Sequence, residues 1–73
     1  MIQQENGVTY TRDRDTAIEY GWRTAWHYRI YANTRLVDSQ SIYTASHLDA
    51  LLLVNYWNDI SARYEMLWRY VLA

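Results

Sequence analysis

The chain has 73 residues, 51% of them hydrophobic, with four Trp, eight Tyr, no Phe, no Cys and no Pro, so it is expected to form one domain whose core is too small to enclose a deep small-molecule active site. Seven Arg, with no Lys, stand against eight acidic residues for a net charge of -1; no overall field attracts nucleic acid, and the chain is not acidic enough to imitate it. The absence of Cys removes disulfides, thiolate chemistry and cysteine-ligated zinc.

Residues 1–6 are polar and are expected to be frayed. Gly7 allows a turn into a short β-prone stretch, Val8 to Thr11, and Arg12 to Asp15 reads as a solvated turn. Apolar residues then alternate through Ile18, Tyr20, Trp22, Trp26, Tyr28, Ile30 and Ala32 with the period of two that places them on one sheet face. That run is too long for one strand, so a break or bend is expected at Gly21. Asn33-Thr34 suggests a hairpin into a strand over Leu36 to Tyr43.

Ser46 and Asp49 have capping-box spacing, which predicts a helix over residues 47–60. Ala50, Leu53, Trp57 and Ile60 share one face of it, and Asn55, Asn58 and Asp59 lie opposite. Leu48 and Leu51 fall beside the polar residues, an arrangement that calls for an apolar neighbour: the N-terminal segment or a second copy in a homodimer. A last alternating run, Tyr64 to Leu72, predicts a strand that the helix joins to the earlier one by a crossover. Trp57 and Trp68 are expected to be buried where helix and strand meet. The fold class is therefore α+β, one helix packed on a mostly antiparallel sheet of three to five strands.

Chemistry-bearing clusters are few. His27 and His47 have no ligand-spaced partners for zinc, and Ser46, His47 and Asp49 lie within one turn of a helix cap, where no activated nucleophile follows. Gly7 and Gly21 make no phosphate loop. No enzyme activity, metal or cofactor is expected. If one helix covers one face of the sheet, the other face carries Arg23, His27, Arg29 and Tyr31, with Leu67, Arg69 and Val71 from the last strand. Arg, Tyr and Trp are the residues that protein interfaces favour, whereas Lys is depleted there, so Arg23, His27, Arg29, Tyr31 and Arg69 are the candidate partner-binding residues and Leu48 with Leu51 the candidate self-association pair. The interleaved cations and aromatics of Trp22 to Tyr31 keep an alternative open, a module binding single-stranded nucleic acid or RNA.

The run Ala50-Leu51-Leu52-Leu53-Val54-Asn55-Tyr56-Trp57-Asn58, followed by Tyr64, Trp68 and Tyr70, resembles the C-terminal half of small accessory proteins of bacteriophages and mobile elements, anti-CRISPR proteins among them. The likeness covers about residues 26–73. It implies a compact inhibitor that sterically blocks a bacterial defence or host complex, and it carries over no site residues. No run reaches the ~18 apolar residues of a membrane span, and the N-terminal residues lack the features of a secretion signal. The expected location is cytoplasmic, in the host bacterium if the protein is phage-derived.

Overall fold

The computed structural model describes residues 1–73 and has the α+β architecture anticipated above. Five strands, β1 (Gln3–Glu5), β2 (Val8–Thr11), β3 (Ala25–Ala32), β4 (Arg35–Thr44) and β5 (Trp68–Leu72), form one sheet in the order β1-β2-β4-β3-β5. Every neighbouring pair is antiparallel. Because β4 and β5 both run antiparallel to β3, they run parallel to each other, and helix α2 (His47–Arg63) makes the crossover between them. A second helix, α1 (Arg14–Glu19), links β2 to β3.

The helix α2 begins where its cap predicts, with the Ser46 hydroxyl accepting the Asp49 N–H at 3.2 Å. It covers one face of the sheet. Ala50, Leu53 and Val54 bury against Val8, Tyr10, Tyr28 and Ile42, with Trp26, Ile30, Trp57, Tyr70 and Leu72 packed around them. The strand registers place these side chains together: Trp26 lies opposite Ile42, Tyr28 opposite Leu72, and Ile30 opposite Tyr70. A bulge interrupts the β3–β4 register after Ile30, where Val37 is the extra residue on β4.

Three expectations are corrected. Residues 1–6 are not frayed, because Asn6 and Gly7 both adopt positive φ, 50° and 77°, and this turn folds Gln3–Glu5 back on Val8–Tyr10 as a hairpin. The alternation from Ile18 to Ala32 is not one broken strand. Asp13 accepts the N–H and hydroxyl of Thr16 at 3.2 and 2.6 Å, a cap that starts α1 within the segment read as a turn; Ile18 and Tyr20 lie on and just after that helix and are exposed. Gly21, at φ +79°, ends the turn after it. Trp68, finally, is not core: it opens β5 with 43% of its surface exposed, whereas Trp57 packs inside.

Candidate binding face and the Arg12 cluster

Antiparallel pairing aligns the side chains of directly opposed residues on one face, so the residues between the core positions point away from α2. On that open face His27 stands opposite Ser41 and Arg29 opposite Ser39 across β3 and β4, while Arg29 meets Val71 and Tyr31 meets Arg69 across β3 and β5. His27 Nδ1 is 2.7 Å from the Ser41 hydroxyl. The Arg69 guanidinium lies over the Tyr31 ring, 5.9 Å from its centre, within the range of a cation–π contact. His27, Arg29 and Arg69 are exposed and Tyr31 half-buried.

No strand position on the open face is acidic. Asp38, the one carboxylate in β4, lies opposite Ile30 on the covered side, accepting the Ser39 N–H and the Gln40 amide. The strand side chains of this face thus include two guanidinium groups, Arg29 and Arg69, and no carboxylate.

Four of the five candidate partner-binding residues, His27, Arg29, Tyr31 and Arg69, come together on this face. Arg23 does not join them on a strand, because β3 begins at Ala25. It lies in the turn after α1 and borders the face at one end, lining a depression of about 460 Å3 with Arg14, Ile18, Trp22, Ala25 and Tyr43. Leu48 and Leu51 lie on the outer side of α2, 61% and 38% exposed, and Leu52, 45% exposed, extends the pair into a patch. His47 packs edge-on against Trp26, ring centres 5.1 Å apart, and Ser46 is occupied as the cap, so these residues make no nucleophile and base pair.

A polar cluster beside α2 was not anticipated. Arg12 Nη1 donates to the Tyr28 hydroxyl at 2.7 Å and to Gln40 Oε1 at 3.1 Å, and its guanidinium lies within 6.0 Å of the ring centres of Tyr10, Tyr28 and Trp57. Glu5 accepts from the Tyr10 hydroxyl and, at 3.1 Å, from the Trp57 indole N–H. Burial first, then the Glu5 hydrogen bond and charge, push the Tyr10 hydroxyl up to about 12. Burial likewise raises Tyr28, against the opposing pull of Arg12. These residues come from β1, β2, β3, β4 and α2, with Arg12 from the turn after β2, so no local spacing announces the cluster. The Asn6-Gly7 pair, which brings Glu5 back over Tyr10, is the one signal that could have pointed to it.

No protein-family model, curated protein or solved structure matches this chain.

Proposed function

We propose that the protein is a small binding module that docks a protein partner through the open sheet face. The observation that carries this reading is the segregation of charge: Arg29 and Arg69 share the face with His27 and Tyr31, and no strand carboxylate offsets the two guanidinium groups. Such a surface favours an acidic patch on the partner, and Arg and Tyr are the side chains that most often anchor protein interfaces. Single-stranded nucleic acid is the second reading, since the same cations can meet phosphates. It is the weaker one, because the two tyrosines on that side, Tyr31 and Tyr43, are both half-buried and stand toward opposite ends of the face, and Arg69 already lies on the Tyr31 ring, whereas sheet platforms for RNA stack two or three bases.

The resemblance to phage accessory proteins supplies a finer proposal: the partner is a bacterial defence or host complex, met in the bacterial cytoplasm and blocked by steric occlusion without chemistry on it. Capture of the tagged protein's partner from a bacterial lysate bears on that class. The face itself is tested by combining Arg29→Ala and Arg69→Ala, both exposed and so compatible with folding, and measuring affinity for the captured partner. Loss of about 2 kcal/mol or more is expected. Unchanged affinity would place the working surface elsewhere, and steeply salt-dependent binding of single-stranded oligonucleotides, lost in the same variant, would favour the second reading.

A further inference from the structure

The longest strand is paired along only part of one side. β4 has ten residues, yet β2 pairs with just its last two, Tyr43 and Thr44. After Thr11 the chain turns away into the Asp13 cap and α1, and no strand lies outside Asp38 to Ile42. The orientation of the peptides along this edge follows from β5. Asn58 binds both the N–H and the C=O of Tyr70, at 2.6 and 2.8 Å, so Tyr70 turns its backbone away from Ile30, the residue opposite. Alternation along antiparallel strands then turns the backbone groups of Trp26, Tyr28 and Ile30 toward β4, and those of Ser39 and Ser41 away from β3. The Ser39 N–H is satisfied by the carboxylate of Asp38 at 2.8 Å. Ser41 has no such cap, and no backbone bond outside the ladders reaches it.

The two sides of the molecule treat their edges differently. On β5 the helix closes the edge, with Asn58 on Tyr70 and the Ser61 hydroxyl on the Trp68 carbonyl at 2.8 Å. On β4 the bulge at Val37 and the Asp38 cap close the hairpin end alone, leaving a short open stretch that ends where β2 joins. Beside it, on the helix-covered side, stands Arg12, bonded to Tyr28 and Gln40 but in no ion pair.

We propose that the β4 edge from Ser39 to Ile42 accepts an extended acidic segment of a partner protein by strand addition. Its backbone pairs with Ser41, and a carboxylate on the helix side meets Arg12. Side chains on its other side extend the open face outward from Ser39 and Ser41, one strand away from His27 and Arg29, so this inference rests on the protein-binding reading and names the element through which the partner docks. A second copy fits the edge less well. The one charged residue that its β4 would bring to the stretch is Asp38, and that carboxylate is already committed to Ser39 and Gln40.

The test uses a fluorescein-labelled peptide of alternating Glu and Val, its Lys and Val counterpart, and two variants. Ser41→Pro removes the outward N–H while leaving the β3 ladder intact, as proline on an edge strand can; Ser41→Ala removes the hydroxyl and keeps the N–H. Expected is binding of the Glu peptide by the wild type and by S41A, a roughly tenfold or greater loss in S41P, a similar loss in Arg12→Ala, and no binding of the Lys peptide. Equal affinities of S41P and S41A, or of the two peptides, would overturn the proposal. Should S41P fail to fold, amide exchange decides: the peptide must slow exchange at Ser41 in the wild type, and no slowing sinks the idea. Self-association lost in S41P, without peptide binding, would give the edge to a second copy and refute the acidic strand. An effect of R29A with R69A on the captured partner, with none of S41P, would leave the open face standing and remove the edge.

Discussion

Glu5 receives two donors, the Tyr10 hydroxyl and the Trp57 indole N–H, and so ties the N-terminal hairpin to α2. Burial disfavours the Tyr10 phenolate, and the Glu5 carboxylate that accepts its proton opposes ionisation further, so the hydroxyl is held well above its ordinary 10.0, at about 12. The folded chain therefore keeps the Tyr10 proton more tightly than the unfolded one. The stability this gives is complete below pH 10, falls as the pH rises from 10, and is gone above about 12. Urea titrations across that window should show a fall in midpoint that Tyr10→Phe reduces; an equal fall in the variant would assign it to other groups. Trp57 and Trp26 allow a second comparison. Both are partly buried beside the core, but the Trp57 indole N–H donates to Glu5, whereas that of Trp26 has no partner in the protein. Replacing either by Phe removes a similar volume, so Trp57→Phe should cost about 1.5–3 kcal/mol more than Trp26→Phe, the worth of a hydrogen bond to a charged group. Equal denaturant midpoints would mean that the Glu5 bond contributes nothing.

Asn58 shows how a side chain can be right in place and wrong in purpose when read from sequence. On the helical pattern Asn58 and Ser61 look like a polar end to α2, yet the helix runs on to Arg63. Their polar atoms are spent on the backbone of β5, a tertiary use that no helical wheel displays. The turn out of the helix is made by Glu65, which takes φ 55° after the Tyr64 cap while Met66 N–H bonds back to the Ser61 carbonyl at 2.9 Å, a left-handed position that usually falls to Gly. Asn58→Ala would leave the N–H and C=O of Tyr70 without these partners, at a cost of about 1–3 kcal/mol, and should speed exchange of the Tyr70 amide. Slow exchange in that variant would show that the edge is closed by something else. At this scale α2 was legible because Ser46 and Asp49 mark its start and apolar residues repeat along it, and β3 because its alternation is regular from Trp26 to Ile30. α1 was not, since six residues give no period to read and Ile18, Tyr20 and Trp22 mimic a strand. The N-terminal hairpin was signalled by Asn6-Gly7, but a polar terminus outweighed that pair.

Across the whole molecule, the open face was legible to the extent that it depends on parity within strands. Once β3 and β5 are placed, His27, Arg29, Tyr31 and Arg69 must lie on the side away from Tyr28, Ile30 and Tyr70. Arg23 was misplaced because its position depended on the false strand before Ala25, and the Arg12 cluster was invisible because it assembles from five separate elements. The outer side of α2 carries an apolar feature outside the core: Leu48, Leu51 and Leu52, spaced i, i+3 and i+4, are 61%, 38% and 45% exposed, one continuous stripe on a helix surface. A domain this small buries only about 60% of the surface of its unfolded chain, and pairing two such stripes about a two-fold axis would cover the leucines of both copies with one self-complementary contact. Because α2 and the open face lie on opposite sides of the sheet, a dimer formed this way leaves both cationic faces outward. Sedimentation of the wild type should therefore show a concentration-dependent dimer, and Leu48→Ser with Leu51→Ser should shift it to monomer with stability changed by no more than about 0.5 kcal/mol, as for exposed positions. A wild type that stays monomeric at high micromolar concentration would sink this assignment, and a dimer that survives the double variant would move the contact off α2.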